Sequence, residues 1–314
     1  LIQRIAERWR WFAYRVRFHP WTTHELPRIL GGLADYARLM RLDRPIGIWL
    51  LLWPTLWALW IAGRGKPDPR VFIIFVAGTV LMRSAGCAIN DYADRSFDPH
   101  VERTRNRPLA AGRISPLEAL LLFTMLSIGA LWLALQLNKG TLLLAAGGGF
   151  LAITYPFVKR FLPVPQMYLG VTFGWGIPMA FEAQLEQVPR VALLLLVANV
   201  LWVTVYDTIY AMVDRDDDLR IGVRSTAILF GDSDRHIIAV LQAMTLLALY
   251  LVGRIIHFGW WYDGGLWAGA AFFLHQLWLI RGRDRGACFR AFLNNNYVGM
   301  SVFIGMALEY VFAT

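Results

Sequence analysis

The chain has 314 residues, of which 57% are hydrophobic and 17% charged, with 14 Trp and 19 Phe. Soluble domains run nearer ~45–50% apolar and ~25% charged, so this composition excludes a water-soluble domain and, equally, a disordered chain. The formal net charge of +9 suits anionic lipid headgroups, whereas nucleic acid is the weaker reading and is not expected as a partner, because the arginines fall in loops between apolar runs.

Residues 1–35 mix arginines with Trp9, Trp11, Phe12, Tyr14 and Phe18. That pattern predicts an amphipathic helix lying on the membrane surface, with a mitochondrial targeting segment as the alternative. A membrane-spanning helix needs ~20 mostly apolar residues. Nine stretches qualify: 45–62, 70–90, 117–137, 141–158, 166–183, 190–213, 236–257, 262–280 and 297–313. Together they predict an all-α integral membrane protein. Arg83 sits in the middle of the second span, and intramembrane charges usually face the bundle interior or a wet cavity. Gly147-Gly148-Gly149 in the fourth span permits close helix packing. The seventh and eighth spans are parted only by the aromatic turn His257–Trp261. The N-terminal tail and the loops after even-numbered spans hold 24 Lys and Arg, against five in the loops after odd-numbered spans. The positive-inside rule therefore predicts a cytoplasmic N-terminus. Arg281, Arg283, Arg285 and Arg290 are explained by this sidedness alone. Cys87 and Cys288 are too few for a disulfide framework or a four-cysteine zinc site.

Acidic residues are scarce except in two places. Asp91, Asp94, Asp98 and Glu102 follow the second span, and Asp207, Asp214, Asp216, Asp217 and Asp218 close the sixth. Asn90, Asp94 and Asp98 recur at i, i+4, i+8, as do Tyr206, Tyr210, Asp214 and Asp218, so each set forms one stripe on a helix. Pro99 limits the first stripe, because the residue before proline disfavours helix. Like charges four apart repel. A divalent cation would offset that repulsion, and all-oxygen ligands without a His or Cys cluster select Mg²⁺ or Ca²⁺ over zinc. Mg²⁺ commonly takes one or two carboxylates plus phosphate oxygens, so two facing stripes suit one metal-held diphosphate. The plainer alternative is a solvated loop whose acids pair with neighbouring arginines. Guanidinium groups bind phosphate bidentately, which makes the arginines between the stripes candidates as well.

Asn-Asp-x-x-Asp-x-x-x-Asp at 90–98, with Arg103-Thr104-Arg105-Asn106-Arg107-Pro108-Leu109 after it, resembles the UbiA superfamily of intramembrane prenyltransferases. Asp214-x-x-x-Asp218 within 210–231, Arg41-Leu42-Asp43-Arg44-Pro45-Ile46-Gly47 and Tyr155-Pro156-Phe157-x-Lys159-Arg160 are similar to its 4-hydroxybenzoate polyprenyltransferase branch. The resemblance covers 36–314 and leaves 1–35 as an extension. It implies nine transmembrane helices around a central cavity under cytoplasmic acidic cap loops. It further implies Mg²⁺-dependent transfer of a polyprenyl chain from polyprenyl diphosphate to the ring of 4-hydroxybenzoate, ortho to the phenol, in ubiquinone biosynthesis. The implied setting is the bacterial inner membrane or the mitochondrial one. Asn90, Asp94, Asp98, Asp214 and Asp218 would serve the metal–diphosphate site, and Arg160 would contact the diphosphate or the aromatic acid. Arg44, Lys159, Arg103, Arg107, Tyr155 and Tyr210 are the remaining substrate-binding candidates. The alternatives are a sister prenyltransferase with another acceptor and, more remotely, a cation transporter using intramembrane acids. Against transport stands the crowding of the acids at one face.

Overall fold

The computed structural model describes residues 26–158, 161–222 and 224–313, and is helical throughout those elements. In chain order they are α1 (Leu26–Leu39), α2 (Ile46–Ala62), α3 (Pro69–Asp94), α4 (Pro116–Ala134), α5 (Lys139–Val158), α6 (Pro165–Gly174), α7 (Gly176–Leu185), α8 (Arg190–Ile221), α9 (Thr226–Phe230), α10 (Asp234–Ile255), α11 (Trp260–Leu279) and α12 (Arg285–Phe312). Each predicted span falls on helix. Among the described residues, five helical stretches are long and apolar enough by themselves to cross a membrane: Pro69–Asp94, Pro116–Ala134, Lys139–Val158, Arg190–Arg220 and Thr226–Ile255. Most of the predicted surface helix lies outside the described residues.

The helices start where side chains satisfy the first free amides. Asp68 accepts from Val71 N at 2.9 Å at the start of α3, with Pro69 in the first turn. Ser115 and Glu118 form a reciprocal capping box on α4. Asp284 accepts from Ala287 N at 2.8 Å and starts α12 twelve residues before the predicted ninth span. Hydropathy misses this first part of α12 because it is polar. Its asparagines serve as acceptors for buried indoles: Trp53 Nε1 donates to Asn296 and Trp202 Nε1 to Asn295, both at 2.9 Å.

The predicted fifth span is broken into α6 and α7 at Trp175. Pro178 offers no N–H to the carbonyl four residues back, so the helix ends and restarts there. Trp175 then turns toward α5, its Nε1 donating to Leu144 O at 2.7 Å, and its ring lies against Gly147 and Gly148. The predicted sixth span stops short of its helix, since α8 continues to Ile221 and closes at Gly222, whose φ of 73° suits a residue without Cβ.

The core gathers around α2 and α8, where Trp57 and Trp202 pack with ring centroids 5.3 Å apart and Tyr206 meets Trp202 edge-on. α11 and α12 form a close pair: a Cβ added at Gly265 would strike Ser301 O and Gly305 Cα. At one end of this pair His257 takes a left-handed φ of 60°. Phe258 tucks against Tyr262 and Tyr310, and buried Glu309 accepts from Gly259 N and Tyr262 N at 2.7 and 3.2 Å. The aromatic turn expected there is thus an anchored corner.

Candidate active site

The other end of the bundle collects the acids. The last turns of α3 carry Asn90, Asp91 and Asp94, with Asn90 Nδ2 donating to Asp94 Oδ2 at 3.2 Å, which realises the i, i+4 stripe. The helix stops at Asp94, and Asp98 follows on a 3-10 turn with Pro99 as its second residue. Thr104 Oγ1 donates to Asp98 O at 2.8 Å and folds the loop back.

Arginines occupy the spaces between the carboxylates. Arg107 Nη1 donates to Asp91 at 3.0 Å and to Asp98 at 2.8 Å. Arg41, on the turn after α1 with φ 59°, reaches both oxygens of Asp91 at 2.9 Å. Arg103 crosses to α8, where its Nε meets Asp214 at 2.9 and 3.0 Å and its Nη2 at 2.5 Å. Its guanidinium also lies 4.6 Å over the Tyr210 ring and bonds the Tyr210 hydroxyl. Arg103, carried by the loop that follows the first stripe, therefore brings that loop onto the second stripe at a single mouth. Burial raises the Asp98 carboxyl above its usual range; Arg107 opposes that rise, and Asp91 and Asp94 add to it. Burial works against the Arg103 charge, but Tyr210, Asp214 and Asp98 outweigh it and hold the proton more firmly than usual.

Beneath the mouth lies a cavity of about 1470 Å³ whose rim includes Arg41, Arg44, Asn90, Asp91, Arg103 and Arg107. Tyr155, Tyr206, Asp207 and Tyr210 line it at the level of α5 and α8. Arg83 also lines it; its guanidinium stands 5.7 Å from the Phe173 ring, and among the described residues its buried Nε has no hydrogen-bond partner.

The sequence profile of the UbiA prenyltransferase family matches residues 51–301. The chain belongs to the UbiA prenyltransferase family. Two 4-hydroxybenzoate octaprenyltransferases are similar over nearly their whole length. The Nitrosococcus oceani protein is 59% identical over 281 residues, 90% of this chain and 99% of its own. The Methylococcus capsulatus protein is 55% identical over 289 residues, 92% and 99%. The apo structure of a UbiA homologue from Aeropyrum pernix superposes with TM-score 0.73 at 26% identity, covering 83% of this chain and 97% of that one. A UbiA homologue from Archaeoglobus fulgidus bound to GPP and Mg²⁺ shares the fold, with TM-score 0.66, 18% identity and coverage of 88% and 99%. Family and composition together make the chain an integral membrane protein.

Within this UbiA fold the site candidates fall into three groups. Asn90, Arg44, Arg103, Arg107, Tyr155 and Tyr210 face the cavity. Asp94, Asp98 and Asp214 are buried beside it among the arginines. Asp218 lies one turn beyond Asp214 on α8 and is half-buried. Lys159 and Arg160 lie outside the described residues. Among the described residues, Arg103 and Arg107 stand against Asp214, Asp91 and Asp98 and offset part of the carboxylate repulsion. Arg283 and Arg285, assigned to sidedness, also take carboxylate partners: Arg283 clasps fully buried Asp234 at 2.8 Å, and Arg285 reaches Asp216 and Asp217 at 3.3 Å, because the polar start of α12 brings them beside α8 and α10. Asp91 lies off the i, i+4 face yet is 1% exposed and holds two arginines. Its one signal in the sequence is an acid in the last turn of a helix that runs into an arginine-rich loop.

Proposed function

We infer that this chain transfers a polyprenyl group, octaprenyl by likeness to its relatives, from its diphosphate to the ring carbon of 4-hydroxybenzoate ortho to the phenol, as a step of ubiquinone biosynthesis. The observation that carries the reading is the meeting of both acidic stripes, through Arg103 and Asp214, above an apolar cavity. The 55–59% identity to 4-hydroxybenzoate octaprenyltransferases supports the choice of substrates.

The donor set fits Mg²⁺. It is all oxygen, and among the described residues no three acids form a ready cage. An ion that takes one or two carboxylates and completes its shell with phosphate oxygens matches that arrangement. Asn90, Asp94 and Asp98 would hold it on one side, Asp214 and Asp218 on the other. When bound, Mg²⁺ supplies Lewis-acid neutralisation of the leaving diphosphate. Arg103, Arg107 and Arg41, with Lys159 and Arg160 after α5, supply the guanidinium and ammonium donors for the same oxygens. As the allylic C–O bond lengthens, the faces of Tyr155, Tyr206 and Tyr210 stabilise positive charge at prenyl C1, and the apolar wall keeps water from capturing it. Arg83 holds the acceptor carboxylate, which orients the ring toward C1. The ring carbon bonds to C1 as the C–O electron pair departs with the diphosphate, and the ring proton then passes to a basic oxygen of that diphosphate, which restores aromaticity.

Residues 36–314 form the membrane unit in this reading and 1–35 an extension on the cytoplasmic surface, with the mouth facing the cytoplasm of the inner membrane. The test is incubation of purified protein with 4-hydroxybenzoate, prenyl diphosphates of several lengths and Mg²⁺, followed by product mass. The expected product is the acceptor plus one prenyl group minus one hydrogen, lost on chelation. Unchanged turnover in excess chelator refutes the metal assignment, and Arg83→Leu that leaves the KM for 4-hydroxybenzoate unchanged refutes the carboxylate contact.

A further inference from the structure

At the mouth end of the bundle, arginines meet carboxylates. Arg41 and Arg107 hold Asp91, Arg103 holds Asp214, and Arg285 holds Asp216 and Asp217. Arg283 and Arg215 share the buried Asp234 at 2.8 and 3.6 Å. Arg235 and Arg281 differ: among the described residues neither is paired with a carboxylate. They lie against each other where α10 begins and α11 ends, with Arg235 Nη1 donating to Arg281 O at 3.3 Å. The Arg235 Nε is buried and, among the described residues, has no hydrogen-bond partner. The acids next to Arg235 in the chain do not neutralise it. Asp234 accepts from the Arg235 backbone N–H at 2.6 Å, yet its carboxylate pairs with Arg283 and Arg215. Asp232 is exposed to solvent, and its carbonyl accepts from Arg283 at 2.9 Å. Two positive charges therefore stand at this junction without an internal counter-charge.

The surface next to the pair is aromatic and then aliphatic. Arg281 follows α11 on a 3-10 turn, and its guanidinium folds back over the indole of Trp278 at 4.6 Å. The His275 ring stacks with the same indole, the centroids 5.9 Å apart and the planes at 20°. Trp278 is 55% exposed. Toward the other end of the two helices, Leu274 and Trp267 of α11 and Val240 and Leu247 of α10 are exposed as well. Arginine beside tryptophan at the end of an exposed apolar face is the chemistry of the boundary between lipid headgroups and acyl chains. Arg235, Trp278 and Arg281 are absent from the cavity lining, so this surface is separate from the candidate active site.

We propose that Arg235, Arg281 and Trp278 form a docking site for one anionic phospholipid. Its phosphodiester meets the two guanidiniums, and its acyl chains lie along the outer faces of α10 and α11. Charge complementarity selects this occupant. A phosphate oxygen supplies the acceptor that the Arg235 Nε lacks, and charge-assisted bonds to guanidinium are the strong ones. A zwitterionic lipid brings its own cation and leaves the net charge of the pair unmet. A free anion satisfies the guanidiniums but leaves the apolar face without a partner. An anionic lipid satisfies both, and the negative leaflet that attracts arginines supplies it. The inference stands apart from the prenyl-transfer reading, since it involves neither the cavity nor the donor diphosphate.

The test is a lipid titration of the full-length protein in detergent, with phosphatidylglycerol, phosphatidylcholine and inorganic phosphate as separate arms. Native mass spectrometry counts the lipid retained, so a variant less stable than wild type is still read, and the rise in melting temperature gives a second measure of affinity. Phosphatidylglycerol should be retained and raise the melting temperature, and phosphatidylcholine and inorganic phosphate should do so far less. Arg235→Gln/Arg281→Gln should weaken phosphatidylglycerol binding by about ten-fold or more, the scale of lost charge-assisted bonds. Arg95→Gln is the control, because Arg95 also stacks on an exposed-end aromatic, 4.3 Å over Tyr92, and should change that binding by less than about two-fold. Undiminished phosphatidylglycerol binding in the double variant overturns the site, as does equal retention of phosphatidylcholine by wild type. An equal loss in Arg95→Gln means diffuse surface charge and overturns it too. Stabilisation by inorganic phosphate that matches phosphatidylglycerol and vanishes in the double variant means a free-anion site and overturns the lipid as occupant.

Discussion

The two acidic stripes share a sequence pattern and differ in how their charge is met. The first breaks out of helix after Asp94 and is balanced largely from its own segment, with Arg107 of the following loop bridging Asp91 and Asp98. The second stays helical to Ile221 and depends on distant residues: Arg103 for Asp214, and Arg285 for Asp216 and Asp217. The first stripe is therefore a local unit, whereas the second is set only when the two halves of the chain meet. Pro99 against Gly222 explains the backbone difference, one turning the chain early and the other permitting a long helix to its end.

Removing a carboxylate from either side breaks this arrangement most severely. Asp94→Ala and Asp214→Ala should each lower kcat for prenyl transfer by about 10²–10³ or more, the scale for losing one group that stabilises developing charge. Product mass against time measures it. The prediction fails if either variant turns over normally. Asp91→Ala comes next and acts on folding. It takes from Arg41 its carboxylate partner and leaves Arg107 with Asp98 alone, a loss of about 3–5 kcal/mol for a broken buried pair. A markedly lowered unfolding temperature in detergent would bear this out, and wild-type stability would not. Arg103→Gln separates the stripes from each other: the KM for the donor diphosphate should rise by about ten-fold or more, as expected for a lost charge-assisted contact worth ~1.5–3 kcal/mol. A rise of the same size in Arg107→Gln alone, with none in Arg103→Gln, would mean the first stripe binds the diphosphate unaided. Arg285→Ala is the mildest. Its pairs sit at a rim where the arginine side chain is 42% exposed, so stability should change by less than about 1 kcal/mol and turnover should hold.

Much of this was legible from residue order. Apolar runs located the helices because a bilayer leaves no other way to satisfy a backbone, and the i, i+4 spacing of Asn90 and Asp94 appears as a direct hydrogen bond. The polar start of α12 escaped because Asn295 and Asn296 look hydrophilic until the indoles that donate to them are known. The break at Trp175 is written in Pro178, but apolar residues on both sides hid it. Asp91 escaped because its value lies in which distant arginines the fold delivers, and a stripe argument reads only one helix face. Arg83 was visible as a misplaced charge, yet its place in the cavity wall, beside the Phe173 ring of α6, required the fold.

The contact of Gly265 with Ser301 and Gly305 leaves α11 and α12 no room to slide. That side of the bundle is a rigid jamb. Plasticity toward bulkier aromatic acceptors must then come from other helices that line the cavity, α4 and α5 among them. Laboratory evolution for new acceptors should gather its substitutions in α4 and α5 and spare both glycines.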